Sequence, residues 1–271
     1  MDVTFILQGI TNPEIDLLQT ISEYRQVGKV ILSIYRKKES PELLSKLDSM
    51  PDLLIIDNDQ DEFDRKFIQN YGPGPYINYH KNIFFQVQTV LAALPYVTTK
   101  YCIKVRVDHY YANISQFARL LLSDKIVSSS LFVRGFWQHK FHLSDCLFGG
   151  LTCEIFRVFA LSGTQPNIVE VPEIYIWKPY ILEKLHDLKL EHNTPQSYAK
   201  SMSEIFIVYP ICTNPYKIHL TCIVNIQLIP KRNTFGSITH RSHIHTNIER
   251  MPQTTYNYFL KGILHNYGGV K

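Results

Sequence analysis

The chain has 271 residues, of which 45% are hydrophobic and 19% are charged, and its net charge is +4. This composition supports a substantial core and excludes an intrinsically disordered chain. The small positive charge, without a long run of Lys or Arg, argues against a nucleic-acid-binding protein.

Five cysteines, an odd number without a Cys-x-x-Cys pair, favour a reducing compartment over a disulfide framework. The first residues have no signal-peptide pattern, and no stretch approaches the ~20 apolar residues of a membrane span. We therefore expect a cytoplasmic protein without a transmembrane segment, whose fold begins almost at residue 1.

Apolar runs at residues 3–7, 29–35 and 52–56 predict three buried strands. A helix is predicted to begin at Asn12-Pro13, because Asn is a good N-cap and Pro suits the first turn. The polar residues 58–80, with two Gly-Pro pairs, predict a surface loop.

The next predicted elements are a helix that begins at Asn82 and a fourth strand over residues 101–107. Continuous apolar strands separated by helices are typical of an α/β fold, with a mostly parallel central sheet and helices on both faces. The later predicted elements are helices near 114–122, over 152–161 and within 172–190, and β structure at 127–136, 204–209 and 218–228.

The fourth strand carries the most informative pattern. Strand side chains alternate between faces, so Lys104, Arg106 and Asp108 are predicted to share one face, with the acid at the carboxyl end. Ligands of open α/β sheets bind outside these strand ends. Lys104 and Arg106 could neutralise a diphosphate there, and Asp108 could hold Mn²⁺ or Mg²⁺ or a ribose hydroxyl. The alternative is an amphipathic edge strand with a local ion pair.

Two further acids could carry chemistry. Asp145 stands among apolar residues before a glycine pair, and a carboxylate in such a setting has a raised pKa and suits general-base work. The alternative is a helix N-cap at Ser144 or Asp145. Glu173 is a second candidate base, or an acid in the first turn of a helix.

Two weaker signals remain. Gln8-Gly9 follows the first strand as a turn whose backbone could approach a nucleotide base. His240, His243 and His245 form a histidine cluster near the end of the chain, but lack the ligand spacing of a zinc site, so a solvated polar segment is the alternative.

Over roughly residues 1–215 the sequence resembles the WavE lipopolysaccharide-synthesis family of glycosyltransferase-like proteins, which also has members in bacteria and large DNA viruses. The resemblance lies in several segments that follow the family's order. These are Phe5-Ile6-Leu7-Gln8-Gly9, Val30-Ile31-Leu32-Ser33, the helix from Asn82 to Leu94, Thr99-Lys100-Tyr101 through Asp108, Phe141-His142-Leu143-Ser144-Asp145, Pro172-Glu173-Ile174-Tyr175 and Ile205-Phe206-Ile207-Val208.

The resemblance implies a Rossmann-like GT-A glycosyltransferase fold and a role in building a polysaccharide or lipopolysaccharide-type glycan. We expect one domain, with a nucleotide-sugar-binding half at 1–136, an acceptor-binding and catalytic half at 137–215, and an extension at 216–271. In a viral member, the location would be the host cytoplasm.

The expected partners are a nucleotide-diphosphate sugar donor and a glycan acceptor. Gln8 and Gly9 would contact the nucleoside, Lys104 and Arg106 would stabilise the diphosphate, and Asp108 would bind the metal or the donor. The expected catalytic residues are Asp145, as the base of an inverting transfer, and Glu173 in reserve.

Two other functions stay open. A sugar-phosphate nucleotidyltransferase would share the sheet and the metal, but it needs a Gly-rich phosphate loop where Gln8 to Asn12 has a single glycine. A non-catalytic glycan-binding or nucleotide-sugar-binding protein is favoured somewhat by Arg106-Val107-Asp108, where many GT-A enzymes have two acids.

Overall fold

The computed structural model describes residues 1–72, 78–130, 133, 139–165 and 171–209. The predicted β structure at 218–228, the extension at 216–271 and the three histidines at 240, 243 and 245 lie outside these residues.

One mixed sheet organises the described part of the chain. Its order is β3-β2-β1-β4-β6-β5-β7, in which β6 runs antiparallel to β4 and β5 and the other neighbours are parallel. The strands are β1 (Val3–Gly9), β2 (Lys29–Ile34), β3 (Leu54–Asp57), β4 (Tyr101–Arg106), β5 (Ile126–Ser129), β6 (Leu147–Leu151) and β7 (Phe206–Tyr209).

Helices cover both faces of this sheet. They are α1 (Leu17–Arg25), α2 (Pro41–Asp48), α3 (Gln60–Tyr71), α4 (Asn78–Ala93), α5 (Ile114–Arg119), α6 (Thr152–Gly163), α7 (Pro172–Asp187) and α8 (Pro195–Ile205). Short 3₁₀ helices lie at Arg36–Lys38, Leu94–Tyr96 and Leu120–Ser123. The predicted α/β class, Rossmann-like with a mostly parallel central sheet, is confirmed.

Two apolar cores follow from the alternation of the central strands. Phe5 and Leu7 of β1 lie in the core formed with α1, α2 and α5. Ile6 lies in the opposite core, with α3, α4, α6, α7 and α8. Because β1 continues to β2 on one side and pairs with β4 on the other, the chain's winding reverses between β1 and β4.

Several predicted boundaries differ from the structure. The first helix begins at Leu17 rather than at Asn12. Asp16 is its N-cap, and the Asp16 carboxylate accepts a hydrogen bond from the backbone amide of Gln19. The stretch predicted as a loop at 58–80 contains α3, whose first-turn amides are capped by Asp59. The next helix already begins at Asn78 instead of Asn82.

Further differences occur later in the chain. The predicted strand at 127–136 is described only as the short β5, and α8 occupies residues for which no helix was predicted. Ser144 and Asp145 precede strand β6, so neither caps a helix. Within the described residues, no helix has the length and apolarity needed to cross a membrane.

Candidate active site

Two of the charged side chains predicted for the site, Arg106 and Asp108, lie at the carboxyl end of β4, beside the end of β1. In the parallel pairing of β1 with β4, Gln8 is the register partner of Arg106. The amide of Val107 donates to the Gln8 carbonyl at 2.9 Å, which extends this pairing past the end of β4. This edge is the reversal point of the sheet, where ligands of open α/β folds bind.

Arg106 and Asp108 form a bidentate ion pair at this edge. Arg106 Nε and Nη2 donate to the two Asp108 carboxylate oxygens at 2.9 and 2.6 Å. The side chains are 37% and 28% exposed, so both reach the surface. The hydrogen bond to Asp108 raises the pKa of Arg106. Burial raises the pKa of Asp108, but the hydrogen bond and charge of Arg106, with the nearby His109, together outweigh burial, and the net shift is downward.

Lys104 does not join this pair at the surface. It shares a strand face with Arg106, as predicted, but it is wholly buried. Its ammonium group donates to the backbone carbonyl of Asp145 and lies 5.6 Å from the centre of the Phe148 ring. Burial lowers the pKa of Lys104 to about 8, and the charge of Asp145 opposes this shift.

Asp145 lies in the segment that leads into β6 and is only 4% exposed. Gln86 Nε2 of α4 donates to its Oδ2 at 3.1 Å, and the Cys146 thiol lies 3.3 Å from Oδ1. Burial raises the pKa of Asp145, but the charges of Lys104 and Arg106 and the hydrogen bonds from Gln86 and Cys146 together outweigh burial, so the net shift is downward. The expectation of a raised pKa is therefore wrong, because two cations and two hydrogen-bond donors act on the buried carboxylate.

Gln8 and Gly9 lie at the end of β1, and they differ in what they offer a ligand. The Gln8 side chain is 4% exposed, and its Oε1 accepts a hydrogen bond from the Thr89 hydroxyl at 2.9 Å. Gly9 has a φ of 120°, a backbone conformation that favours glycine. The turn after β1 therefore presents backbone, while the Gln8 amide belongs to the interior.

Glu173 lies in the first turn of α7 and near the segment that carries Asp145. One of its carboxylate oxygens is 3.7 Å from Nε2 of His142, and its side chain is 15% exposed. The same helix holds this segment a second time, because Trp177 Nε1 donates to the Ser144 carbonyl at 3.0 Å. Glu173 and Asp145 thus lie on two elements that contact each other.

A polar pocket of about 210 Å³ lies beyond the carboxyl ends of β2 and β3. The buried hydroxyl of Tyr35 has no hydrogen-bond partner among the described residues. Asn58 is anchored by its Nδ2, which donates to the Ser33 hydroxyl at 2.9 Å. The lining residues are Tyr35, Lys37, Lys38, Asn58, Asp59, Gln60 and Asp61. The sequence analysis did not identify this pocket.

A larger hollow, of about 460 Å³, lies at the opposite, amino-terminal edge of β1, β2 and β3. Thr4, Lys29 and Leu54 are among its lining residues. None of the predicted site residues borders it.

The described residues do not fit a divalent cation at Asp108. The Arg106 guanidinium occupies both Asp108 oxygens. Among the residues that the structure describes, no group of three or more His, Cys, Asp or Glu side chains could hold a metal ion.

Comparison with known proteins gives distant structural likenesses. No protein-family model and no curated protein sequence matches the chain. The crystal structure of HddC from Yersinia pseudotuberculosis is similar at 13% identity, over 64% of this chain and 84% of that chain, with a TM-score of 0.37. A UDP-glucose pyrophosphorylase complexed with UDP-glucose is similar at 11% identity, over 66% and 86%, with a TM-score of 0.36.

Proposed function

We propose that the chain is a glycosyltransferase, which moves a sugar from a nucleotide-diphosphate donor to a hydroxyl of a glycan acceptor. The observation that carries the proposal is the partly exposed Arg106–Asp108 pair beside the end of β1, at the reversal point of the sheet. The resemblance of the sequence to the WavE family supports the same activity, in the synthesis of a polysaccharide or lipopolysaccharide-type glycan.

In this proposal Arg106 stabilises the diphosphate that leaves. A guanidinium group binds phosphate oxygens through two parallel hydrogen bonds, in the geometry with which it now holds Asp108. Asp108 keeps the guanidinium oriented before the donor arrives. Its carboxylate can then accept a hydrogen bond from a hydroxyl of the donor. Stabilisation of the developing negative charge on the diphosphate lowers the barrier to breaking its bond to the sugar.

The pocket beyond β2 and β3 is our candidate for the nucleoside. Adjacent strands lie about 4.8 Å apart, so the end of β2 is roughly 10 Å from the end of β4. A nucleoside diphosphate can bridge that separation. Asp59 and Asp61 line this pocket, and their carboxylates can accept hydrogen bonds from ribose or base. Backbone groups at Gly9 lie between the two positions.

Asp145 is our candidate for the general base. The lowered pKa keeps its carboxylate ionised at neutral pH, as a proton acceptor must be. In an inverting transfer, the acceptor oxygen attacks the anomeric carbon, the bond to the diphosphate breaks, and the hydroxyl proton passes to the carboxylate. Glu173 is the reserve candidate. It contacts the same segment through His142, and it is the more exposed of the two acids.

The proposal can be tested by incubating the protein with a panel of nucleotide sugars, with and without glycan acceptors, Mn²⁺ and Mg²⁺. We expect release of nucleoside diphosphate from one donor, and at least a tenfold loss in Asp108→Asn and Asp145→Asn. Asp124→Asn is the matched control, because Asp124 is exposed and lies on the loop before β5. Wild-type turnover in the Asp108 variant would contradict the site assignment.

The same assay separates the alternative functions. A nucleotidyltransferase would form nucleoside triphosphate when pyrophosphate is added to the donor. A non-catalytic protein would bind a nucleotide sugar without turnover across the whole panel. Either result would replace the glycosyltransferase proposal.

A further inference from the structure

Lys104 lies in the interior beneath Asp145, away from the crevice in which we place the donor. Its side chain has no exposed area, and its ammonium group donates to the backbone carbonyl of Asp145. The Phe148 ring, 5.6 Å away, packs against the same ammonium group. A fully buried ammonium group cannot reach a phosphate in the crevice unless the packing around it opens. The hydrogen bond of Lys104 therefore joins β4 to the segment that carries Asp145.

Gln86 of α4 holds the same segment from a second element. Its Nε2 donates to the Asp145 carbonyl at 3.3 Å and to the Asp145 Oδ2 at 3.1 Å. Donors from a strand and from a helix thus converge on one carbonyl oxygen. The side-chain bond from Gln86 also fixes the direction in which the carboxylate points.

The charges around Asp145 come from β4 and from its own segment. The groups that act on its carboxylate are Lys104, Arg106, Gln86 and the thiol of Cys146, and His109 and Tyr111 also interact with its charge. Those that act on Lys104 are Asp145, Cys146, Arg106, Asp108 and His109. Without the two cations, burial would leave a carboxylate that holds its proton to higher pH.

We propose that Lys104 and Gln86 are positioning residues, which fix the ionised carboxylate of Asp145 and do not bind the donor. The proposal rests on the proposed function in one respect, namely the use of Asp145 as the base. The geometric part, two donors that set the orientation and charge state of one acid, stands without it.

The charge state can be measured without any turnover. In protein labelled with ¹³C-aspartate, the Asp145 carboxyl signal is assigned by its loss in Asp145→Asn and followed with pH. We expect the carboxylate to stay ionised to the lowest pH at which the wild type is folded. In Lys104→Met the titration should move to higher pH, and in Gln86→Leu it should move in the same direction by less.

Gln88→Leu is the matched control, because Gln88 is a partly buried glutamine of the same helix. Its Asp145 signal should follow the wild type. If Lys104→Met does not fold, Gln86→Leu carries the test. An Asp145 titration that is the same in the folded variants and in the wild type would overturn the proposal.

Kinetics with the donor found in the panel give the second readout. In Gln86→Leu we expect kcat to fall by at least about tenfold and the acid limb of its pH profile to move upward, with the KM for the donor unchanged. A raised KM with unchanged kcat would mean that Gln86 contacts the donor. If the wild type turns over no donor, the proposed function fails, while the carboxyl titration still decides the positioning.

Discussion

At the scale of single residues, burial separates the two cations of β4. Strand alternation correctly placed Lys104 and Arg106 on one face of β4. It could not predict depth, because β4 is a central strand with β1 and β6 on its two sides. Lys104 is covered by the packing at Phe148, whereas Arg106 lies at the strand end and stays 37% exposed.

The buried lysine predicts a particular pH dependence of stability. Its pKa falls from 10.5 to about 8 in the folded protein. Between these values the unfolded chain binds more protons than the folded one, so the free energy of unfolding must rise with pH. From pH 8 to pH 10 we expect the wild type to gain about 2 kcal/mol relative to Lys104→Met, measured by urea denaturation.

The comparison with Lys104→Met removes the effect of other groups. Buried tyrosines such as Tyr24, whose pKa is raised, contribute equally to the pH dependence of stability in both proteins. Lys46→Met, at an exposed helix position, is the control and should follow the wild type. Parallel stability curves for Lys104→Met and the wild type would show that Lys104 keeps an ordinary pKa.

At the scale of elements, the strands with long apolar runs could be predicted from the sequence, whereas polar or short elements could not. The runs that became β1, β2 and β4 were recognised because both of their faces are buried. The helix α3 was missed because few of its residues are apolar and buried, among them Phe63 and Phe67. The strand β6 was missed because two of its five residues are glycines.

The glycine pair of β6 is needed for strand packing. A Cβ at Gly149 would lie 2.8 Å from the Cys102 carbonyl oxygen, and a backbone atom in the sheet cannot move away. A Cβ at Gly150 would first meet the Ile126 side chain at 3.2 Å, which can shift. We expect Gly149→Ala to destabilise by more than about 2 kcal/mol in denaturant unfolding, and Gly150→Ala by less.

Equal losses for the two variants would indicate that β4 and β6 are not as close as the structure has them. The result would also bear on the site, because β6 begins two residues after Asp145.

At the scale of the whole molecule, the sheet order places the candidate site. The apolar runs and the helices between them were enough to predict an α/β fold, and the pattern on β4 was enough to predict that Arg106 and Asp108 lie at the carboxyl end of that strand. The antiparallel β6 and the pocket beyond β2 and β3 were not predicted. Both depend on contacts between segments that are far apart in the sequence. The strand β6 lies between β4 and β5, and the pocket is lined by residues that follow β2 and β3.

The central claim is that Arg106, at the reversal point of the sheet, binds the diphosphate of a nucleotide. The most direct measurement is calorimetry of UDP, GDP, CDP and ADP, and of the corresponding nucleosides, with the wild type and Arg106→Gln. Arg119→Gln, at an exposed position of α5, is the matched control.

We predict that one diphosphate binds the wild type and the Arg119 variant equally and binds Arg106→Gln about 10- to 100-fold more weakly, as expected for loss of a charged hydrogen bond. The affinity for the nucleoside alone should not change. Equal diphosphate affinity in Arg106→Gln and the wild type, or no diphosphate binding by the wild type, would contradict the claim.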